Sequence, residues 1–265
     1  MMPMRVVEIA RSILKKNSTL ADGLRKRFSE QRTYVFNLLS SPGAGKTTLL
    51  EASLRRLDER YRVAALVGDQ ATENDAVRLR RSGVPVKQIT TGGECRLDAI
   101  MIEDALTGWE PPSLDVLAIE NVGNLICPAE YDLGEDLRVA LFSVTEGEDK
   151  PLKYPLAFNT AHVVLITKID LAAAAEFDER AARQAIERVH PGVAVLGVSS
   201  RSGAGMDEWM AFLTSRIDAK RFPNSTGATP HAHAHAHDHQ HADGPEHAHV
   251  HDHAHTHDHP HDHEH

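Results

Sequence analysis

The residues best suited to phosphate chemistry lie in one run, Ser40-Ser41-Pro42-Gly43-Ala44-Gly45-Lys46-Thr47-Thr48. Gly43 and Gly45 let a backbone turn with its N–H groups pointing inward, and a helix starting there adds positive dipole character. Lys46 can then reach the outer phosphates, while the Thr47 hydroxyl can hold a magnesium ion. The strict pattern has glycine where this chain has Ser40, a variant that serine's backbone range tolerates. A second group is Thr167-Lys168-Ile169-Asp170. In such a run the aspartate accepts two hydrogen bonds from the guanine edge and the lysine stem lies along the ring; adenine cannot offer that donor pair. Ser199, Ser200 and Arg201 suit a loop that closes over the base.

Acids complete the set. Asp69 and Thr72 follow an apolar run at which a second strand should end, where loops of open α/β sheets carry ligand chemistry. Glu120 opens Glu120-Asn121-Val122-Gly123 after another such run. A carboxylate there can hold magnesium directly or through water. The glycine three places on lets its N–H approach a γ-phosphate, as in a nucleotide-sensing switch. The candidate catalytic residues are therefore Lys46, Asp69 and Glu120, with Thr47, Asp69 and Glu120 around magnesium. Gly43, Ala44, Gly45, Lys46, Thr47, Thr48, Gly123, Thr167, Lys168, Asp170, Ser199, Ser200 and Arg201 are expected to bind the nucleotide.

Strands and helices must bring these residues together. Strand-length apolar runs precede each motif: 33–39 before the phosphate loop, 62–68 before Asp69, 114–119 before Glu120, and 161–166 before Thr167. Leucines at helical spacing follow the phosphate loop over 49–57. Five parallel-type strands alternating with helices define an α/β fold of the P-loop NTPase kind, a mostly parallel sheet with helices on both faces. Residues 1–32 read as an amphipathic helical arm, broken near Asn17-Ser18-Thr19, which packs on its own domain or contacts a partner. The P-loop GTPase domain spans 33–222, and 223–265 form a disordered tail.

Composition narrows the function. In 265 residues all 29 Lys and Arg lie at or before Arg221, and seven of the 38 acids lie beyond it, so the folded part carries a formal charge of −2. No basic excess suggests nucleic acid. No apolar run approaches membrane-spanning length, and the N-terminal sequence lacks a signal peptide, so a cytoplasmic address is expected. The two cysteines, Cys95 and Cys127, are not expected to form a structural disulfide. These readings predict a GTP-hydrolysing enzyme.

The motifs also carry a family resemblance. The phosphate loop, Gly68-Asp69, Gly92-Gly93-Glu94-Cys95-Arg96-Leu97-Asp98-Ala99, Ile119 to Leu125 with Cys127-Pro128, Thr145 to Pro155, and Thr167 to Asp170 stand in one order. In this the chain resembles the HypB family of hydrogenase nickel-incorporation GTPases, of the SIMIBI class. The resemblance runs from the N-terminal arm to about Arg216. It implies a GTP-dependent homodimer whose switch loops meet across the interface. It also implies nickel delivery to the large subunit of a [NiFe]-hydrogenase, beside a HypA-like nickel partner. Three departures stand out: Thr167 where the family often has Asn, no cysteine-rich N-terminal nickel motif, and Arg96 where the interface metal site has histidine.

The resemblance places Cys95 and Cys127 near the dimer interface, where two subunits would supply four thiolates suited to zinc or to Ni(II). Arg96 cannot bind metal but would favour the Cys95 thiolate through its charge. From the sequence itself comes a second metal module. His231, His233, His235, His237, His239, His241, His247, His249, His251, His253, His255, His257, His259, His261, His263 and His265 alternate with small and acidic residues. No core can form from such a segment, and its imidazoles are mostly neutral near pH 7 and ready to coordinate. It reads as a buffer for several nickel or zinc ions.

Overall fold

A computed structural model describes residues 4–69, 74–109 and 113–223, the first seven of these as backbone only. Thr72 and the sixteen tail histidines lie outside the described residues.

The chain runs α1 (Met4–Glu30), β1 (Tyr34–Ser40), α2 (Lys46–Asp58), β2 (Val63–Asp69), α3 (Asn74–Leu79), β3 (Val86–Thr90), α4 (Ala99–Leu106) and β4 (Val116–Glu120). It continues through β5 (Leu137–Ser143), α5 (Lys150–Lys153), α6 (Pro155–Asn159), β6 (Val163–Thr167), α7 (Glu179–Val189), β7 (Ala194–Val198) and α8 (Met206–Arg221). The strands form one sheet in the order β3-β2-β4-β1-β5-β6-β7, every pair parallel. The sheet has seven strands rather than a total of five, and each falls on a run that reads as a strand in the sequence, the short runs at 86–89 and 193–198 forming its edges. The five inner strands are buried on both faces almost throughout, as parallel strands under helices must be, whereas β3 and β7 at the edges are largely half-exposed.

Side chains of β1 alternate between two layers. Phe36 and Leu38 pack with Leu50 and Leu54 of α2 and with Trp209 and Leu213 of α8. Val35 instead joins Leu24 and Phe28 of α1 and Ile102 of α4. Trp209 is fully buried and donates its indole N–H to Ser53 Oγ at 3.0 Å, so its one polar atom is satisfied within the core.

Helix α1 is unbroken, contrary to the expected interruption at Asn17-Ser18-Thr19. Ser18 and Thr19 bond back to the carbonyls of Leu14 and Lys15, one turn earlier. Asn17 finds its partners in the rest of the fold: it donates to Asp132 O and accepts from Ala99 N–H, each at 2.8 Å. The arm packs on its own domain through Ala21, Leu24 and Phe28, all buried.

Candidate functional site

Every strand register ends at the same edge. Leu38 of β1 pairs with Glu120 of β4, Val67 of β2 with Glu120, and Ser143 of β5 with Thr167 of β6. Asp69, Glu120 and Thr167 therefore emerge beside the loop that joins β1 to α2. Gly43 and Gly45 in that loop have φ of 76° and 93°, the left-handed region that favours glycine. A cleft of about 520 Å³ opens there, lined by residues 41–48 together with Asp69, Asp75, Arg78, Val122, Gly123 and Lys168.

Behind the cleft lies a compact charged contact. Glu120, 1% exposed, accepts from Thr47 Oγ1 at 2.6 Å and from Lys46 Nζ at 3.1 Å, both through Oε1. Its Oε2 is buried with no hydrogen-bond partner. A buried carboxylate oxygen without a partner is costly, and each such atom needs a reason. A magnesium ion would supply one. The Thr47 hydroxyl and the Glu120 carboxylate are hard oxygen donors of the kind magnesium prefers, and the orphaned Oε2 fits a cation at that place. Asp69, at the end of β2, lines the same cleft.

A second cavity of about 260 Å³ is lined by Gly45, Thr48, Thr167, Lys168, Asp170, Leu171, Ser199, Ser200 and Arg201. It shares Gly45, Thr48 and Lys168 with the first, so the two are neighbouring compartments of one groove. Thr167 donates to Ala44 O at 2.6 Å, and Lys168 Nζ donates to Gly43 O at 2.7 Å. The Lys168 stem also crosses Gly45, where an added Cβ would lie 3.7 Å from its Cε. The threonine that stands where the family often has asparagine thus straps the base-side loop to the phosphate loop. All thirteen expected nucleotide-binding residues line one compartment or the other, while Glu120 sits beneath them.

Arg78 and Asp75 on α3 also line the cleft, and no sequence motif marks them. Arg78 donates to Thr48 Oγ1 at 2.7 Å and its Nε lies 3.4 Å from a Glu51 carboxylate oxygen. The signal available was helical spacing. With Ala76 and Leu79 buried, positions 75 and 78 fall on the outward side.

Cys95, in the turn after β3, and Cys127, opening a short 3₁₀ turn after β4, are joined as a disulfide with their Cα atoms 6.3 Å apart. This corrects the expectation that they would not pair. The strands that carry them are separated in the sheet only by β2, and both loops rise at the same edge, so fold geometry brings the sulfurs together. Neither cysteine lines the nucleotide groove. Arg96 does not act on a thiolate in this state: its guanidinium sits 4.0 Å over the Tyr131 ring and pairs with Glu94 at 2.6 Å. Among the described residues no three His, Cys, Asp or Glu side chains gather in a metal-holding group. A metal at this pair would need the disulfide reduced and ligands beyond the two sulfurs. No described helix is long and apolar enough to cross a membrane.

Comparison with known proteins bears on this arrangement. Residues 34–196 match a family described as CobW/HypB/UreG, nucleotide-binding domain. The hydrogenase maturation factor HypB of Azotobacter vinelandii is 47% identical over 225 residues, covering 82% of this chain and 74% of that one. The factor of the same name from Escherichia coli K12 is 46% identical over 212 residues, covering 80% and 73%. Among solved structures, HypB from Helicobacter pylori in complex with nickel superposes with a TM-score of 0.72 at 36% identity, covering 82% of this chain and 99% of that one. HypB from Archaeoglobus fulgidus gives 0.71 at 36% identity, covering 77% and 99%. With its seven-stranded parallel sheet and its phosphate loop backed by Glu120, this chain belongs to the HypB family of hydrogenase maturation factors, P-loop GTPases of the SIMIBI class.

Proposed function

We propose that this chain hydrolyses GTP and uses the nucleotide cycle to carry nickel into a [NiFe]-hydrogenase during its maturation. The observation that carries the reading is the contact of Lys46 and Thr47 with Glu120 behind a loop whose other compartment holds Asp170. One compartment is built for phosphate and a hard cation, the other for a base with two adjacent donors. Lys46 neutralises the outer phosphates. Thr47 and Glu120 hold magnesium, which when bound screens phosphate charge. Asp69 is the second candidate acid, positioned at the rim for the attacking water, and Gly123 offers its N–H toward the terminal phosphate. Lys168 and Asp170 select guanine, with Ser199, Ser200 and Arg201 closing over it.

Nickel is cargo. Two copies of the chain, brought together by GTP, would present Cys95 and Cys127 in their reduced form as four thiolates for nickel or zinc. Metal should be held more tightly in the GTP-loaded dimer and released after hydrolysis, in the presence of a HypA-like partner. The histidine-rich tail is a separate store. Removing residues 224–265 should abolish multi-ion binding and leave GTP hydrolysis intact.

The deciding experiment uses the purified full chain. GTP turnover with magnesium, absent for ATP, and nickel transfer to apo-hydrogenase that depends on GTP would support the proposal. Indifference to GTP would overturn it. A second client has one specific support: a relative from Helicobacter pylori, 38% identical over 214 residues, carries the name hydrogenase/urease maturation factor. Assaying activation of apo-urease beside apo-hydrogenase separates the two clients. If tail loss raised nickel sensitivity while hydrogenase activity stayed normal without the GTPase domain, metal storage would be the better description.

A further inference from the structure

The segment from Glu120 to Cys127 touches the nucleotide groove at one end and carries a cysteine at the other. Between them lie two asparagines with defined bonds. Asn121, fully buried, accepts the N–H of Leu97 at 3.1 Å and that of Val122 at 3.0 Å through its Oδ1. Leu97 stands two residues beyond Cys95. Gly123 rests on the phosphate loop, where an added Cβ would lie 3.3 Å from Pro42. Asn124 follows it directly. Its Oδ1 accepts Ile126 N–H at 2.9 Å and its Nδ2 donates to the carbonyl of Cys95 at 3.4 Å.

Asn124 therefore joins the two cysteine loops by a side chain, and sits one residue from the glycine pressed on the phosphate loop. Asn121 fixes the other end of the Cys95 loop to β4. If Gly123 shifts relative to Pro42, Asn124 moves with it and changes the offset between Cys95 and Cys127, while Asn121 holds Leu97 in place. We propose that Asn124 is a positioning residue that couples the terminal phosphate of bound nucleotide to the spacing of the Cys95 and Cys127 sulfurs. The proposal rests on the reading of the groove as a GTP site. An amide suits the position because one side chain both accepts from Ile126 and donates to Cys95; aspartate keeps the first contact and loses the second.

The coupling is read without metal, from the thiol–disulfide equilibrium of the full chain in a glutathione buffer. Two protein thiols and one oxidised glutathione give the Cys95–Cys127 disulfide and two reduced glutathiones, so atoms and electrons balance. The equilibrium constant is measured with magnesium and GDP, then with magnesium and a non-hydrolysable GTP analogue, by counting free thiols after acid quench. Their ratio is the coupling factor, expected at about fivefold or more in the wild type, the lower end of measured site-to-site couplings. Asn124→Ala and Asn124→Asp should both bring the ratio to about one while GDP affinity stays within about twofold. A role confined to shaping the 124–126 turn would leave Asn124→Asp at the wild-type ratio, because its acceptor for Ile126 survives, and that result overturns the proposal. A wild-type ratio of one with both nucleotides bound also overturns it and leaves the GTPase reading standing. Failure of the wild type to bind either nucleotide removes that reading together with the proposal.

Discussion

Gly68 is the residue before Asp69, and its lack of a side chain makes room for Leu97. A Cβ built there would lie 2.7, 2.8 and 2.9 Å from Leu97 Cγ, Cδ2 and Cδ1. Both residues are enclosed: Gly68 lies in a buried stretch of β2 and Leu97 is 0% exposed. Gly68→Ala must therefore push Leu97 or the β2 backbone, and overpacking of this kind costs about 1–3 kcal/mol. Leu97→Ala alone empties the space and should cost about 2–5 kcal/mol. If collision is the cause, the double variant loses the penalty, and the added methyl even refills part of the cavity. Gly68→Ala/Leu97→Ala should then be no less stable than Leu97→Ala, a coupling of about 1–3 kcal/mol. The assay is urea unfolding of the three variants and wild type, with midpoints compared at equal slopes. Two costs that add to within about 0.5 kcal/mol would refute the argument, because independent sites behave in that way.

Asp170→Asn should weaken GTP binding at least about 100-fold, since two hydrogen bonds to a charged acceptor each contribute about 1.5–3 kcal/mol. Xanthosine triphosphate, which presents an acceptor where guanine has a donor, should compete better in a displacement assay. Nucleotide should bind at least about tenfold more weakly in a chelator, measured with a fluorescent GDP analogue. Drawing Lys46 toward phosphate without a replacement cation leaves the Glu120 carboxylate buried and unpaired. Burial alone would raise the Asp115 carboxyl, but hydrogen bonds from Arg62 and Arg221 outweigh it and hold the group at about 2. A depressed folded value gives stability that is present above the unfolded carboxylate range, near 3.9, and is lost as pH falls through about 2. Arg62→Gln should accordingly lower the urea midpoint at pH 7 and leave it nearly unchanged near pH 2.

How much of this was legible in the sequence depended on whether the signal was local. The phosphate loop, the Thr167–Asp170 run and the acids at strand ends are local features. Each is a short motif after an apolar run, and the parallel sheet does the rest by bringing those ends to one edge. The disulfide was not legible, because Cys95 and Cys127 are 32 residues apart and meet only through a strand order that places β2 between their strands. General rules of redox compartment pointed the other way. The continuity of α1 was hidden for a related reason: Asn17 disfavours helix locally, and the groups that occupy its amide, Asp132 and Ala99, are 115 and 82 residues away. Arg78 sits on a helix of six residues, where the spacing of Ala76 and Leu79 is the whole of the periodic signal and gives an outward side without a function.

Strand order also decides which end of a nucleotide can influence the cysteines. The phosphate loop rises from β1, at the middle of the sheet. On one side stand β4 and β2, ending in Glu120 and Asp69; on the other stand β5, β6 and β7, the last two leading to Thr167–Asp170 and Ser199–Arg201. With GTP bound as proposed, a guanine seated over β6 and β7 sends its phosphate chain across β1 toward β4 and β2. The Cys95 and Cys127 loops follow β3 and β4, on that far side. Only the terminal phosphate lies toward them, and it is the part that hydrolysis removes. The base and ribose are the same before and after the reaction, so a cysteine pair on their side would have nothing to sense. On the proposed reading, a cysteine pair placed beyond the acids would be on the side where it could respond to the one group whose presence distinguishes GTP from GDP.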